Sequence, residues 1–180
     1  MRREVGQSPD EVFDVVDARD QVIGALPRGE IHRQGLRHRA IHIFWVREDG
    51  SLCLQRRSYA KDNCPGQIST SCAGHVDSGE GYHAAAVREL REEVGLQVSP
   101  AALVEIDYAP CHEDLGHEFV RSYLLRGNHA PSISRSEVDS LLWRHPAELD
   151  DWMARFPDVF SLPLLHLYRR PAIRRALGLA

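Results

Sequence analysis

One run constrains this chain more than any other: YHAAAVRELREEV, from Tyr82 to Val94. Val87, Leu90 and Val94 recur at i, i+3 and i+7, the period of a helix that buries one stripe. Ala84, Ala85 and Ala86 supply helix propensity, and Gly95 stands where a left-handed C-terminal cap belongs. The same run carries Glu89, Glu92 and Glu93. On a helix these three share a face within about one turn. Like charges so placed repel by a few tenths of a kcal/mol, so the face weakens the helix unless something offsets it. A solvated acidic face is the plain reading. A bound divalent cation, which prefers carboxylate oxygens, is the sharper one.

Around that helix the chain reads mostly as strands. Residues 11–27 form two short strands about a polar turn at Asp17 to Asp20. In residues 40–57, Ile41, Ile43 and Trp45 alternate, Asp49-Gly50 makes a favoured hairpin turn, and Leu52 and Leu54 resume the alternation. Residues 58–71 lose all period, and Pro65-Gly66 marks a loop. Strand signals return in ALVEIDYA and HEFVRSYLLR. The stretch SEVDSLLWRHPAELDDWMARF reads as a strand ending near Trp143 and a helix led in by Pro146. A C-terminal helix is expected over about 161–180, interrupted at Pro171. With no repeat, linker or low-complexity tract, residues 1–180 are expected to form one α/β or α+β domain.

Charge and cysteine usage exclude several classes. The net charge is −4, from 26 acids and 22 bases, so neither a nucleic-acid duplex nor an anionic membrane is an expected partner. Four scattered cysteines with no C-x-x-C pair argue against a disulfide framework and a cysteine-rich zinc site. The N-terminal MRREVGQSPDEVFDVV lacks the apolar core of a signal peptide, and no run of 18 apolar residues occurs. A reducing, cytoplasmic setting is the expectation.

Residues 74–96 read Gly74, five residues, Glu80, seven residues, then Arg88-Glu89-Leu90-x-Glu92-Glu93-x-Gly95-Leu96. All the defining positions match, and the stretch resembles the Nudix box. The resemblance implies a mixed sheet sandwiched between helices, with the box helix packing through Val87, Leu90 and Val94. It implies Mg²⁺, or alternatively Mn²⁺, held by Glu89, Glu92 and Glu93, with help from the backbone carbonyl of Ala73. Arg88 resembles the arginine that holds the catalytic glutamates, and Gly74 and Glu80 the supporting positions. The implied reaction is attack of water on a phosphorus of a small-molecule diphosphate linked to a group X. Glu89 is the first candidate for general base. Gly81 departs from the pattern, standing where Ser or Thr usually caps the helix.

The segments IHRQGLRHRAIHIFW and LQRRSYAKDNCPGQISTSCAGH look like the Nudix subgroup related to isopentenyl diphosphate isomerase. With the box, the similarity spans about residues 10–165. Those isomerases move a double bond with a Cys and a Glu, and hydrolyse nothing. Arg57 and Lys61 match the diphosphate-binding pair; two cations four residues apart suit adjacent phosphates, while a solvated basic loop is the plainer account. His32, His38 and His75 approximate the isomerase metal-binding histidines, and Glu118 its strand glutamate. Against this, the nucleophile position is Ala73, and Cys72 lies one residue upstream, on the opposite face of a strand. His32 and His38 also stand one residue too close, and the box is intact where isomerases degrade it.

Diphosphate hydrolysis is therefore the expected activity, with isomerisation as the alternative and a catalytically idle nucleotide-binding module behind both. Tyr59, Tyr82 and Trp143 are candidates for stacking on a base, each equally readable as core or rim. Glu137 is a candidate for reaching the site from a distant loop, and otherwise a surface acid. A homodimer is open to the chain because many relatives pair.

Overall fold

The computed structural model describes residues 10–179, so the reading of the N-terminus falls largely outside the described residues. Strands β1 (Val12–Val16) and β2 (Val22–Pro27) pair antiparallel, as the two apolar runs around Asp17 suggest. A short helix, α1 (Arg28–Gln34), follows where no helix is expected. It has too few residues to show a periodic stripe, but Gly35 closes it in the left-handed region at φ 62°.

The main sheet is built on β3 (His38–Val46). One edge of β3 runs parallel to β8 (Glu118–Arg126), which pairs antiparallel with β7 (Leu103–His112). On the other edge the expected hairpin forms but splays. β3 and β4 (Leu52–Arg57) register only at Val46 and Leu52, beside the Asp49-Gly50 turn. Past the turn, β6 (Cys72–His75) takes the place next to β3, and β4 pairs with β5 (Ile68–Ser69) and β9 (Val138–Arg144). The splay opens the cleft in which the polar residues collect.

Alternation along β3 sorts the core into two layers. Ala40, Phe44 and Val46 pack with residues of α3 (Pro146–Arg155), α4 (Leu162–Tyr168) and α5 (Pro171–Ala176). Ile41, Ile43 and Trp45 pack with α2 (Tyr82–Val94). The sheet thus lies between helices, as expected. Leu90 and Val94 are fully buried on α2, Val87 is half-buried, and Ala85 and Ala86 join them. The C-terminal helix expected over about 161–180 is interrupted at Pro171 as expected and forms two short helices, because Pro171 supplies no amide hydrogen and restarts the helix at its own first position.

Candidate active site

Pleating of β6 decides what each side chain meets. Cys72 and Gly74 stand opposite Ile43 and Ile41 in the ladder with β3, and Ala73 and His75 stand opposite His42 and Ala40. Cys72 therefore enters the α2 layer, where it is fully buried. Burial, then the nearby Glu93 and Glu89, push its thiol pKa well above the ordinary value. Ala73 and His75 line the cleft instead.

Gly74 lies directly under Glu89. A Cβ built on Gly74 would fall 2.1 Å from the Glu89 carboxyl carbon, so only glycine admits this approach. Arg88 pins the group from the other side. Its guanidinium donates to Glu89 Oε1 at 2.7 Å, to both Glu80 oxygens at 3.1 and 2.9 Å, to Glu92 Oε2 at 3.2 Å and to the His75 carbonyl at 2.9 Å. Burial pulls the Arg88 pKa down, but Glu80 and Glu89 outweigh it and the pKa is raised. Glu80 also accepts from the Asp77 amide at 3.2 Å, which ties the turn before α2 to the same arginine. No side chain caps α2 at Gly81, so this bracing stands where a cap is usual.

Glu93 is only 1% exposed. Its Oε2 accepts from the Ala73 amide at 3.2 Å and from Gln55 Nε2 at 3.1 Å, while Oε1 has no hydrogen-bond partner. Burial, then repulsion from Glu93, push the Glu89 carboxyl up to about 8. Glu92 is more exposed and turns toward Arg88 and Arg91. A buried carboxylate oxygen without a hydrogen bond, beside a second carboxylate whose charge burial disfavours, is an oxygen-donor set that a divalent cation fits. These groups, with Glu11, Asp77, Lys61 and Glu137, surround a strongly acidic cavity of about 350 Å³.

The larger cavity, about 420 Å³, adjoins it across Gly74 and His75. His32, on α1, and His38, at the start of β3, meet His75 so that one donor atom of each lies within 4.8 Å of the others. His75 Nε2 contacts Glu118 Oε1 at 3.0 Å, and His38 Nε2 approaches the same oxygen to 3.3 Å without hydrogen-bond alignment. Burial would raise the Glu118 pKa, but His38 and His75 hold it far below the usual carboxylate range. Burial, then repulsion from His75 and His38, drop His32 to about 4, leaving its buried Nε2 without a partner. His38 Nδ1 bonds the Leu36 carbonyl at 2.9 Å, which orients the ring. Three imidazoles and a carboxylate with unpartnered nitrogens also fit a divalent cation.

The expected basic pair divides between the two cavities. Arg57 lines the larger one, its Nε donating to the Asn63 carbonyl at 3.0 Å. Lys61 is buried at the acidic one, ion-paired with Glu137 and 3.6 Å from Glu93 Oε1. The bulge between Arg56 and Arg57 and the turn at Ser58 carry the chain from one side to the other. Glu137 thus does reach the site. None of Tyr59, Tyr82 or Trp143 lines either cavity: Tyr59 lies against Gly66, Tyr82 bonds Asp20 at 2.8 Å, and Trp143 packs on Trp45. Sequence reading missed Gln55 and His42. Each is a polar residue at a buried position within an apolar strand, which is the signal they carry.

Comparison with known proteins agrees with this architecture. The family model of the NUDIX domain matches residues 36–164. A Nudix hydrolase of Nostoc sp. is 34% identical over 79% of this chain and 85% of its own. An isopentenyl-diphosphate Delta-isomerase of Serratia proteamaculans is 35% identical over 89% of this chain and 90% of its own. The crystal structure of DR0079 from Deinococcus radiodurans superposes with a TM-score of 0.69 at 28% identity, covering 81% of this chain and 90% of that one.

Proposed function

Since this chain belongs to the Nudix family, we propose that it hydrolyses a small-molecule diphosphate linked to another group, using Mg²⁺ or Mn²⁺. Glu89, Glu92 and Glu93 would hold the cation, together with the Ala73 carbonyl. When bound it supplies charge neutralisation on the diphosphate and orientation of the attacking water. Arg88 fixes Glu89 and Glu92, and Gln55 with the Ala73 amide fixes Glu93. Arg57 faces the larger cavity and is the contact for a phosphate oxygen. Lys61 is a phosphate contact only from the acidic side, where it now neutralises Glu137.

In the proposed step a water oxygen bonds to phosphorus as the bridging P–O bond breaks. The water proton passes to a carboxylate, for which Glu89 is the candidate by its position, held by Arg88 at the acidic cavity. The products are a phosphate monoester and a second phosphate fragment.

One observation carries hydrolysis over isomerisation: Ala73 occupies the position on β6 where the isomerase resemblance puts the nucleophile, and Cys72 beside it faces the core, while the thiol that does line the cavity, Cys64, comes from the loop after β4. A thiol-dependent double-bond shift thus has no nucleophile on β6. The His32, His38, His75 and Glu118 group favours the isomerase as the second reading, and the Serratia relative carries that name. A phosphate-release screen over nucleotides, nucleotide sugars, dinucleotides and isopentenyl diphosphate, with Mg²⁺ and with EDTA, separates the two. Metal-dependent release supports the hydrolase. Silence throughout, with NMR showing double-bond movement in isopentenyl diphosphate, would falsify it.

A further inference from the structure

Another set of metal-binding side chains converges beside the larger cavity, outside both groups, with Asp114 on the cavity wall. His112 ends β7, Asp114 sits in the following 3-10 turn (Glu113–Leu115), and His166 comes from α4. Asp114 Oδ2 is 3.4 Å from His112 Nδ1 and 3.2 Å from His166 Nδ1. One donor atom from each of the three residues lies within 4.8 Å of the others. In a tetrahedral site with metal–ligand distances of about 2.0–2.1 Å, neighbouring donors stand roughly 3.4 Å apart. Two of the three spacings already meet that value.

The rings are also presented correctly. The Asp114 amide donates to His112 Nδ1 at 3.1 Å, so neutral His112 carries its proton on Nε2 and offers Nδ1 as a lone pair. The two imidazoles lie side by side, centroids 4.5 Å apart and tilted 41°. All three residues keep part of their surface in solvent, so an ion can enter.

We infer that His112, Asp114 and His166 form a site for a borderline divalent transition ion of the Zn²⁺ type. Two imidazoles and one carboxylate suit such an ion, whereas Mg²⁺ prefers an all-oxygen set. The ion takes over the His112 lone pair from the Asp114 amide, and His166 ligates through Nδ1 in the tautomer that carries its proton on Nε2. It fastens the 3-10 turn to α4. That turn leads through Gly116 into Glu118 at the start of β8, and it lines the larger cavity together with Leu162 and Pro163. Metal binding here stiffens one wall of the cavity without touching the carboxylates of α2.

The test is a count of Zn²⁺ retained by the full chain after gel filtration, in the wild type, Asp114→Asn and His166→Ala. Each variant is expected to hold one equivalent fewer than the wild type, and to lose that part of the rise in Tm that Zn²⁺ produces. Whatever the His32 group and the glutamates bind is common to all three proteins, so the difference reports this site alone. It is also independent of whether the enzyme hydrolyses anything. His112→Gln, at a more exposed position, serves if His166→Ala unfolds, with the same loss expected. Equal Zn²⁺ content and equal Tm response in the wild type and every folded variant overturn the proposal and leave an ordinary ion-pair cluster.

Discussion

On one side of β6 the carboxylates of Glu89 and Glu93 meet over Gly74, and on the other His75 meets His32, His38 and Glu118. Both groups are buried, and both fit a cation. They differ in how far the protein satisfies them by itself. Among the histidines a single carboxylate serves two imidazoles, and its pKa is held low as a result. Among the glutamates, Arg88 and Lys61 do not suffice: Glu89 is pushed up to about 8, and one Glu93 oxygen has no hydrogen bond. The histidine group balances its one carboxylate but keeps two imidazole nitrogens without hydrogen bonds, whereas the glutamate group carries uncompensated negative charge and wants a positive charge from outside. Dependence on added metal should therefore reside mainly in α2.

The change that breaks this contrast most completely is Glu93→Gln. It removes one charge while keeping the side-chain shape and an oxygen for the Ala73 amide. Metal-dependent turnover is expected to fall about a thousandfold, equivalent to roughly 4 kcal/mol of barrier. Thermal stability should hold or rise, because repulsion of Glu89 is relieved. Initial rates against Mg²⁺, alongside a melting curve, check both. Full turnover in the variant excludes the proposed cation site.

Gly74→Ala sharpens the same contrast without altering any charge. The added Cβ would lie 2.1 Å from the Glu89 carboxyl carbon, and Arg88 restrains that carboxylate from retreating. A displacement near 1 Å at a reacting group costs on the order of a hundredfold. Turnover is expected to drop by about that factor with little change in the histidine group, read as the metal lost on His32→Ala in the wild type and in Gly74→Ala. Wild-type rates in Gly74→Ala would mean that the carboxylate has room to spare.

These two sites were unequally legible in the sequence. The glutamates stand on one helix with a short repeat, so local period alone places Glu89 beside Glu93 and Arg88 beside Glu92. Strand alternation likewise separates Ala73 from Cys72 by sequence position alone. The histidine group was legible only by resemblance, since His32, His38, His75 and Glu118 come from α1, β3, β6 and β8. Their meeting depends on parallel pairing of β3 with β8, in which His38 registers with Glu118. No local pattern encodes such a pairing. The division of Arg57 from Lys61 was invisible for a similar reason: a bulge in β4 reverses what even spacing implies.

Acid should destabilise the fold through the histidine side of β6, whereas Glu89, raised to about 8, takes up its proton more readily in the folded protein and acts in the opposite sense. His42, fully buried opposite Ala73 with Nδ1 2.8 Å from Thr70 Oγ1, is lowered to about 4 by burial. Its folded pKa lies below the unfolded value, so between about pH 6.5 and 4 the unfolded chain binds more protons. Stability is therefore fully present above that window and is lost as the pH falls through it, by up to about 3 kcal/mol. Urea midpoints at stepped pH measure this loss, and His42→Gln should flatten part of it. An equally steep loss in the variant would assign the acid sensitivity to His32 or another group instead.

The smallest expected effect belongs to Cys72, and it decides between the two reactions. The thiol is buried among Ile43, Ala86 and Leu90 in the α2 layer, and burial raises its pKa well above the ordinary thiol range. Cys53 in the same layer is pushed up to about 12 by burial. A thiol so placed is protonated and unreachable, so it behaves as a small apolar side chain. Cys72→Ala should leave hydrolysis within about twofold and cost roughly 1 kcal/mol through the small void it opens. Iodoacetamide should label the partly exposed Cys64 and Cys111 in the native protein, and Cys53 and Cys72 only after unfolding. Rapid native labelling of Cys72, or loss of activity in a folded Cys72→Ala, would put the thiol within reach of substrate. The strand would then turn over locally, and the isomerase reading would gain the nucleophile that β6 now turns away.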